Sequence, residues 1–370
     1  MVRIPITGIG VVAPGAIGVE AYRSLLASGK SAAADVDRFD TSGMSAHQAA
    51  LVSDFRPKDF IAPMKMRRMN ALSRFGVSAA RLAIEDCGGT LPSDTGVAIG
   101  TAFGPVQTSV EYMREYVERG AALAPPQLFA ESVANAPGSH IAIEWGLRGF
   151  NVTITQRESS VLAAAMFAAT QIVKGTASAA LIGGVEEINE MLFSVLDRIG
   201  ALARADNGLS EAARPFDPRR NGVLLGEGGA MLVAGAGTRK PYGWLAGFGI
   251  ARDTTASVSD WGHDSASVVT AMQAAILDAE LSIGDIDAVY ASANGSRRGD
   301  EVEARALEQM FDGPAVIATK QVCGEYAAGG ALPLVAALLA VDEGRFRNVL
   351  VSSVSAGGGI VCAIVTREER

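Results

Sequence analysis

The chain has 370 residues, of which 49% are hydrophobic and 42 are glycine, and its net charge is −8 at neutral pH. This length predicts two or three domains, or one large fused pair, and the apolar, glycine-rich composition is typical of an α/β protein with buried parallel strands. The acidic charge and the scattered basic residues argue against a nucleic-acid interface. No apolar run reaches the roughly 18 to 20 residues that a membrane span needs.

The cysteines and histidines predict neither a metal site nor a disulfide framework. Cys87, Cys323 and Cys362 form no CxxC pair, and the three histidines lie far apart in the sequence. The residues from Met1 to Arg3 lead directly into an apolar run, so we expect no signal peptide. We therefore expect a reduced, cytoplasmic protein without a cofactor or a metal.

Taken in chain order, the first elements are a strand and a helix. The run "RIPITGIGVVAPG" predicts a buried strand that ends in a turn at Pro14 and Gly15, and the following helix closes at Gly29. Further strands are predicted over residues 96–104 and 177–187, and in "VLLGEGGAMLVAG". The polar stretch from Arg204 to Gly222 is long for a connection, which predicts a functional or interface loop.

A pattern of strand, polar turn, alanine-rich helix, strand and glycines occurs twice. The predicted ranges are 150–155, 159–174 and 179–182 in the first unit, and 315–319, 330–341 and 349–353 in the second. The repeat predicts two fused βαβ halves, residues 1–238 and 239–370, about a pseudo-twofold axis. The polar turns would converge near that axis, which makes Glu158 and Glu325 candidate site residues.

Motifs over nearly the whole chain resemble those of the β-ketoacyl-acyl carrier protein synthases. The stretches "ITGIGVVAPGAIGVEAYRSLLASGKS", "HIAIEWGLRGFN", "ALIGGVEE" and "RPFDPRRNGVLLGEGGAMLV" occur in the order typical of that family. The resemblance implies an α/β, thiolase-like fold in which two pseudo-twofold-related βαβ halves sandwich buried helices between their sheets.

The catalytic positions depart from the family pattern. Counting without gaps places Glu158 where the family has its cysteine nucleophile, and Arg157 is the alternative register. The stretch "ASANGSRRGD" places Asn294 at the first family histidine, and "TKQVCGEYAAGG" retains Lys320 but places Glu325 at the second. The resemblance therefore implies that no intact catalytic set is present.

The resemblance also implies tunnel and docking residues. Ala356, in "SAGGG", stands where the family has a gating phenylalanine, and Ala163 and Ala164 lie in the predicted buried helix, so these three are tunnel candidates. The basic cluster "KMRRM" matches a family segment that helps dock the acidic carrier protein. Its candidates are Lys65, Arg67 and Arg68, although such a cluster is more often a solvated helix face.

Two carboxylates buried in one site would raise each other's pKa. We expect Lys320 or Arg157 to pair with one of them in a buried salt-bridge cluster. Glu158 itself is interpreted as an anion at a helix N-terminus, and Asn294 as a polar spacer.

A glutamate cannot form the thioester that condensation needs, and an ionised Glu325 would repel an oxyanion. The resemblance thus implies a chain-length factor: a ketosynthase-like subunit, inactive by itself, that pairs with an active ketosynthase as a heterodimer or heterotetramer. It would work with acyl carrier protein in polyketide or aryl-polyene biosynthesis and shape the acyl tunnel. Two alternatives stay open, namely a malonyl-carrier protein decarboxylase that uses Glu158 and Asn294, and an acyl-binding scaffold.

Overall fold

The computed structural model describes residues 3–206 and 208–369, so Met1, Val2, Asn207 and Arg370 lie outside the described residues. Within the described residues, eleven strands form one large sheet, and the shortest of them, Ala16–Ile17, pairs only with β1. The ten longer strands are β1 (Ile4–Ala13), β2 (Gly96–Gly100), β3 (Asn151–Ile154), β4 (Ala180–Glu186), β5 (Gly228–Ala234), β6 (Gly243–Arg252), β7 (Ala288–Tyr290), β8 (Ala315–Ile317), β9 (Asn348–Val354) and β10 (Gly359–Thr366).

The two halves of the sheet repeat one strand order. It runs β3–β2–β4–β5–β1 in the N-terminal half and β8–β7–β9–β10–β6 in the C-terminal half. In each half the first two pairings are parallel and the last two are antiparallel. β1 pairs with both β5 and β6, which joins the halves into one sheet. The repeat expected from the sequence is confirmed in this topology.

The helices connect these strands. They are α1 (Val19–Ser28), α2 (Pro63–Met66), α3 (Ala71–Asp86), α4 (Val106–Arg119), α5 (Pro126–Glu131), α6 (Ala136–Trp145), α7 (Ser160–Val173), α8 (Glu190–Arg198), α9 (Ser265–Asp278), α10 (Arg297–Met310), α11 (Lys320–Cys323) and α12 (Leu332–Asp342). As predicted, α1 ends at Gly29, which has a left-handed conformation.

Helices α7 and α12 lie in the central core between the two halves of the sheet. Residues 332–341 of α12 are all buried, and α7 buries a row of alanines along its length. A helix that is apolar around its whole circumference is stable only inside a core. On the outer faces, α3 covers the N-terminal half, while α9 and α10 cover the C-terminal half. Among the described residues, no helix has both the length and the apolar character that crossing a bilayer requires.

The bounds of several strands differ from the predicted ones. The strand predicted to reach Gly104 stops at Gly100, because the backbone N–H groups of Ala102 and Phe103 donate to the Glu186 carboxylate rather than to a neighbouring strand. The strand predicted from residue 177 begins at Ala180. In the second unit, β8 ends two residues before the predicted boundary.

Two glycines allow the polar turns to approach the sheet closely. A Cβ at Gly100 would lie 2.6 Å from the backbone of Ser160 and Val161, at the start of α7. A Cβ at Gly184 would lie 2.5 Å from the carbonyl oxygen of Ala328, in the short 3₁₀ turn before α12. Both distances are below van der Waals contact, so the turns hold their positions only with glycine beneath them.

Gly100→Ala therefore tests how tightly α7 is seated. We expect its free energy of unfolding in urea to fall by about 1–3 kcal/mol, because the added methyl group must displace the backbone of α7. The control is Gly284→Ala, since a Cβ there meets nothing within 4 Å. It should change stability by no more than about 0.5 kcal/mol. Equal stability of the two variants would contradict the packing described here.

Candidate functional site

Glu158 lies in a short 3₁₀ turn, Arg157–Ser159, between β3 and α7. Its side chain points inward and the residue is 3% exposed. One carboxylate oxygen accepts a hydrogen bond from the Tyr326 hydroxyl at 2.7 Å, and the other accepts from the Ala356 N–H at 3.1 Å. The Ser353 hydroxyl donates to the Glu158 carbonyl at 2.6 Å. The C-terminal half thus holds both the side chain and the backbone of this residue.

Glu325 lies between α11 and the turn that precedes α12, and it is 1% exposed. Its Oε2 accepts from the Asn294 amide and from the Lys320 ammonium group, each at 2.6 Å. Its Oε1 accepts from the Tyr326 backbone N–H at 2.9 Å. The expected buried ion pair therefore forms between Lys320 and Glu325. Because donors reach both carboxylate oxygens, these hydrogen bonds offset the free-energy cost of burying the ion pair.

Tyr326 joins the two carboxylates. Its hydroxyl donates to Glu158 and its backbone N–H donates to Glu325, and its φ of 64° lies in the left-handed region. The ring packs edge-to-face on Phe103, with 5.0 Å between the centroids. Sequence reasoning missed this residue, and only its position beside Glu325 could have drawn attention to it.

Arg157 lies outside the acidic centre. Its guanidinium lies over the Phe103 ring, 5.3 Å from the centroid, and also donates to the Val258 carbonyl at 3.4 Å. Of the two side chains that the sequence offered at this turn, Glu158 is therefore the one that faces the interior. This cation–π contact is made with Phe103, the same ring that packs against Tyr326.

Asn294 is not the polar spacer suggested by the sequence. Its amide nitrogen donates to Glu325, and its Oδ1 accepts from the Ser296 N–H at 2.9 Å. Its backbone N–H donates to Asp300 at 2.9 Å, and the same carboxylate accepts from Phe216 of the long polar loop. Both ends of the amide are therefore occupied.

The two carboxylates have different surroundings. Burial raises the pKa of Glu158 to about 7, and the Glu325 carboxylate acts in the same direction, while the Tyr326 hydroxyl and Lys320 oppose the rise. The raised pKa favours the protonated form of Glu158, which lessens the repulsion expected between two buried acids. Glu325 instead has the direct ion pair with Lys320.

A small space adjoins the Lys320–Glu325 pair. The space bounded by Lys320, Glu325 and Tyr326 measures about 10 Å³, no more than one water molecule requires. Cys323, which also lines this space, is buried, and burial raises the pKa of its thiol to about 12. It is therefore not a thiolate at neutral pH.

The tunnel and docking candidates lie in two different environments. Ala163 and Ala164 are buried in α7, and Ala356 is buried beside Glu158. The docking candidates lie at the surface around α2, where Lys65 pairs with Glu144 at 2.7 Å, and Arg67 and Arg68 are exposed. Within residues 3–206 and 208–369, no group of three or more metal-ligating side chains is placed to hold an ion.

Comparison with known proteins identifies the relatives of this chain. The model of the β-ketoacyl synthase N-terminal domain matches residues 1–236, and that of the C-terminal domain matches residues 242–351. A 3-oxoacyl-[acyl-carrier-protein] synthase 2 of Vibrio harveyi is 27% identical over 359 residues, covering 92% of this chain and 86% of its own. A putative polyketide β-ketoacyl synthase 1 of Streptomyces cyaneus is 31% identical over 368 residues, covering 92% and 85%.

A solved structure shares the architecture. The ishigamide ketosynthase/chain length factor superimposes with a TM-score of 0.88 at 24% sequence identity, covering 99% of each chain. This likeness confirms the predicted thiolase-like α/β fold.

Glu158→Gln tests the protonation of the acidic centre. A carboxyl whose pKa rises on folding from 4.5 to about 7 binds its proton more tightly in the folded state, so its contribution to stability falls as pH rises through that window. Glutamine removes this dependence. Between about pH 5 and about pH 8, we expect the variant to gain on the order of 1–3 kcal/mol relative to the wild type in urea unfolding.

The matched control is Glu308→Gln, which changes an exposed glutamate on α10. Its stability relative to the wild type should stay constant over the same pH range. A constant difference for Glu158→Gln as well would show that Glu158 is already ionised at the lower pH, which contradicts the description above.

Proposed function

The chain belongs to the β-ketoacyl synthase family, and we propose that it is a non-catalytic subunit of the chain-length-factor type. The observation that carries this proposal is that both carboxylate oxygens of Glu158, which the family resemblance places at the nucleophile position, are bound inside the protein. A carboxylate cannot accept an acyl chain as a thioester. The condensing chemistry must therefore come from a second subunit with an intact cysteine.

Relatives support a role in polyketide assembly. The Streptomyces cyaneus relative is named as a putative polyketide synthase component, and the ishigamide structure is named as a ketosynthase with a chain length factor. We infer that this chain pairs with an active ketosynthase and works with acyl carrier protein on a polyketide or polyene chain. Lys65, Arg67 and Arg68 remain the candidates for contact with the acidic carrier.

An exposed apolar surface supports association with another protein. Helix α4 contacts both α5 and α8, and Tyr112 of α4 packs against Phe129 of α5 with 5.5 Å between the ring centroids. Exposed apolar side chains on these three helices are Met113, Val117, Phe129, Met191 and Val195. Such a concentration on adjoining helices is typical of a protein interface. Strand β3, at the edge of the sheet, offers unpaired backbone groups in the same half.

Small side chains support a role in shaping the tunnel. Ala163, Ala164 and Ala356 are buried around the acidic centre and the helix that follows it. We propose that they help to set chain length once the partner subunit is bound.

The decarboxylase alternative is disfavoured by the contacts of Asn294. Stabilising an enolate would require a donor beside Glu158, but the Asn294 amide nitrogen donates to Glu325 at 2.6 Å, whereas the Glu158 carboxylate is bound by Tyr326 and Ala356. An acyl-binding scaffold would need no partner ketosynthase. Co-purification with such a partner therefore distinguishes the proposed subunit from a scaffold.

Val117→Glu combined with Met191→Glu should prevent association. We expect the wild-type chain to co-purify with a cysteine-bearing ketosynthase encoded beside it, and the double variant to lose most of that complex, because two charges would be buried at the interface. The control is Leu277→Glu, which alters an equally exposed apolar residue on α9 in the other half. Native mass measurement reports the complex. A wild-type chain that forms no complex would overturn the proposal.

The decarboxylase alternative has its own assay. Carbon dioxide release from malonyl-acyl carrier protein should remain at background for the wild-type chain, for Glu158→Ala and for the surface variant Glu308→Ala. The expected result follows because the Asn294 amide nitrogen donates to Glu325 rather than to Glu158. Release by the wild type that disappears only in Glu158→Ala would instead establish a catalytic carboxylate.

A further inference from the structure

A cavity of about 340 Å³ lies beside α11, apart from the acidic centre. Gln321 and Val322 of this short helix line the cavity, whereas Lys320 and Cys323 of the same helix line the small space at the acidic centre. Leu26 of α1 and Leu339 of α12 add apolar side chains to the lining of the cavity. The volume falls within the range of roughly 300–1,000 Å³ that small-molecule sites occupy.

One end of this cavity carries an unused hydroxyl. Tyr290 lines the cavity and is only 3% exposed, yet its hydroxyl has no hydrogen-bond partner among the described residues. Because Tyr290 lines the cavity, its hydroxyl is available to donate a hydrogen bond to a molecule bound there. Burial raises the pKa of Tyr290, which keeps the hydroxyl protonated and able to donate.

A guanidinium also lines the cavity. It belongs to Arg345, whose positive charge opposes the rise in the pKa of Tyr290 that burial causes. Its Nε contacts Glu343 at 2.7 Å, while its two terminal nitrogens have no partner in the part of the chain that the structure describes. Arg23, which also lines the cavity, is already shared among three carboxylates. Arg345 therefore supplies the available fork of donors.

We propose that this cavity binds a monocarboxylic acid with an unbranched alkyl chain. The carboxylate accepts hydrogen bonds from Arg345 and Tyr290, and the chain lies along Leu26, Val322 and Leu339. Glu343 at the polar end repels a dianion such as phosphate, which favours a single negative charge. The site lies apart from the acidic centre and from helices α4, α5 and α8, so it does not depend on the proposed function.

Octanoate is the probe, and binding is measured by calorimetry on the purified protein, within its complex if it is isolated as one. Arg345→Gln should weaken octanoate binding by about tenfold or more, since it removes the charged fork. Tyr290→Phe should weaken it by several-fold without loss of folding, because the deleted hydroxyl has no protein partner. Ala27→Trp, on the exposed side of α1 at the cavity, should obstruct entry.

The matched control is Arg347→Gln, an exposed arginine whose partner is Glu368, outside this cavity. Its octanoate affinity should equal that of the wild type, and octanol should bind much more weakly than octanoate. Absence of saturable octanoate binding at millimolar concentrations would overturn the proposal. Wild-type affinity in Arg345→Gln, or equal binding of octanol and octanoate, would overturn it as well.

Discussion

Burying two carboxylates in one site costs free energy unless each finds hydrogen-bond donors, a counter-charge or a proton. Here Glu325 has the ammonium group of Lys320 and the amide of Asn294, while Glu158 has a raised pKa and the hydroxyl of Tyr326. Tyr326 binds both acids and so ties the turn before α7 to the turn before α12. Removing one of these side chains would leave a buried polar group unpaired. The centre is therefore held together as one hydrogen-bonded network.

The repeated topology brings these groups together. Each half places a polar turn after a parallel strand and before a buried helix, and the pseudo-twofold relation makes the turns meet. Close approach depends on Gly100 and Gly184, which leave room for the turn backbones. The apolar α7 and α12 then fix the turns from within the core. The fold thus holds the two polar turns together independently of any chemistry at Glu158.

Much of this arrangement could be predicted from the sequence. The doubled pattern and the family motifs predicted the fold, the meeting of Glu158 with Glu325, and the pairing of a carboxylate with Lys320. Tyr326 could not be predicted, because its role depends on a left-handed backbone that no local pattern signals. The role of Asn294 was misread, since hydrogen bonds between residues 31 positions apart depend on tertiary packing. Strand ends were also misplaced where the Glu186 carboxylate captures backbone N–H groups.

The central claim is that this chain is a partner subunit whose own centre carries no acyl group. Intact-protein mass measurement of the complex, after incubation with an acyl-loaded carrier protein, tests it most directly. The account predicts an acyl mass increment on the cysteine-bearing ketosynthase and none on this chain, whose three cysteines are all buried. An acyl increment on this chain, lost in Glu158→Ala or in a cysteine variant, would contradict the account.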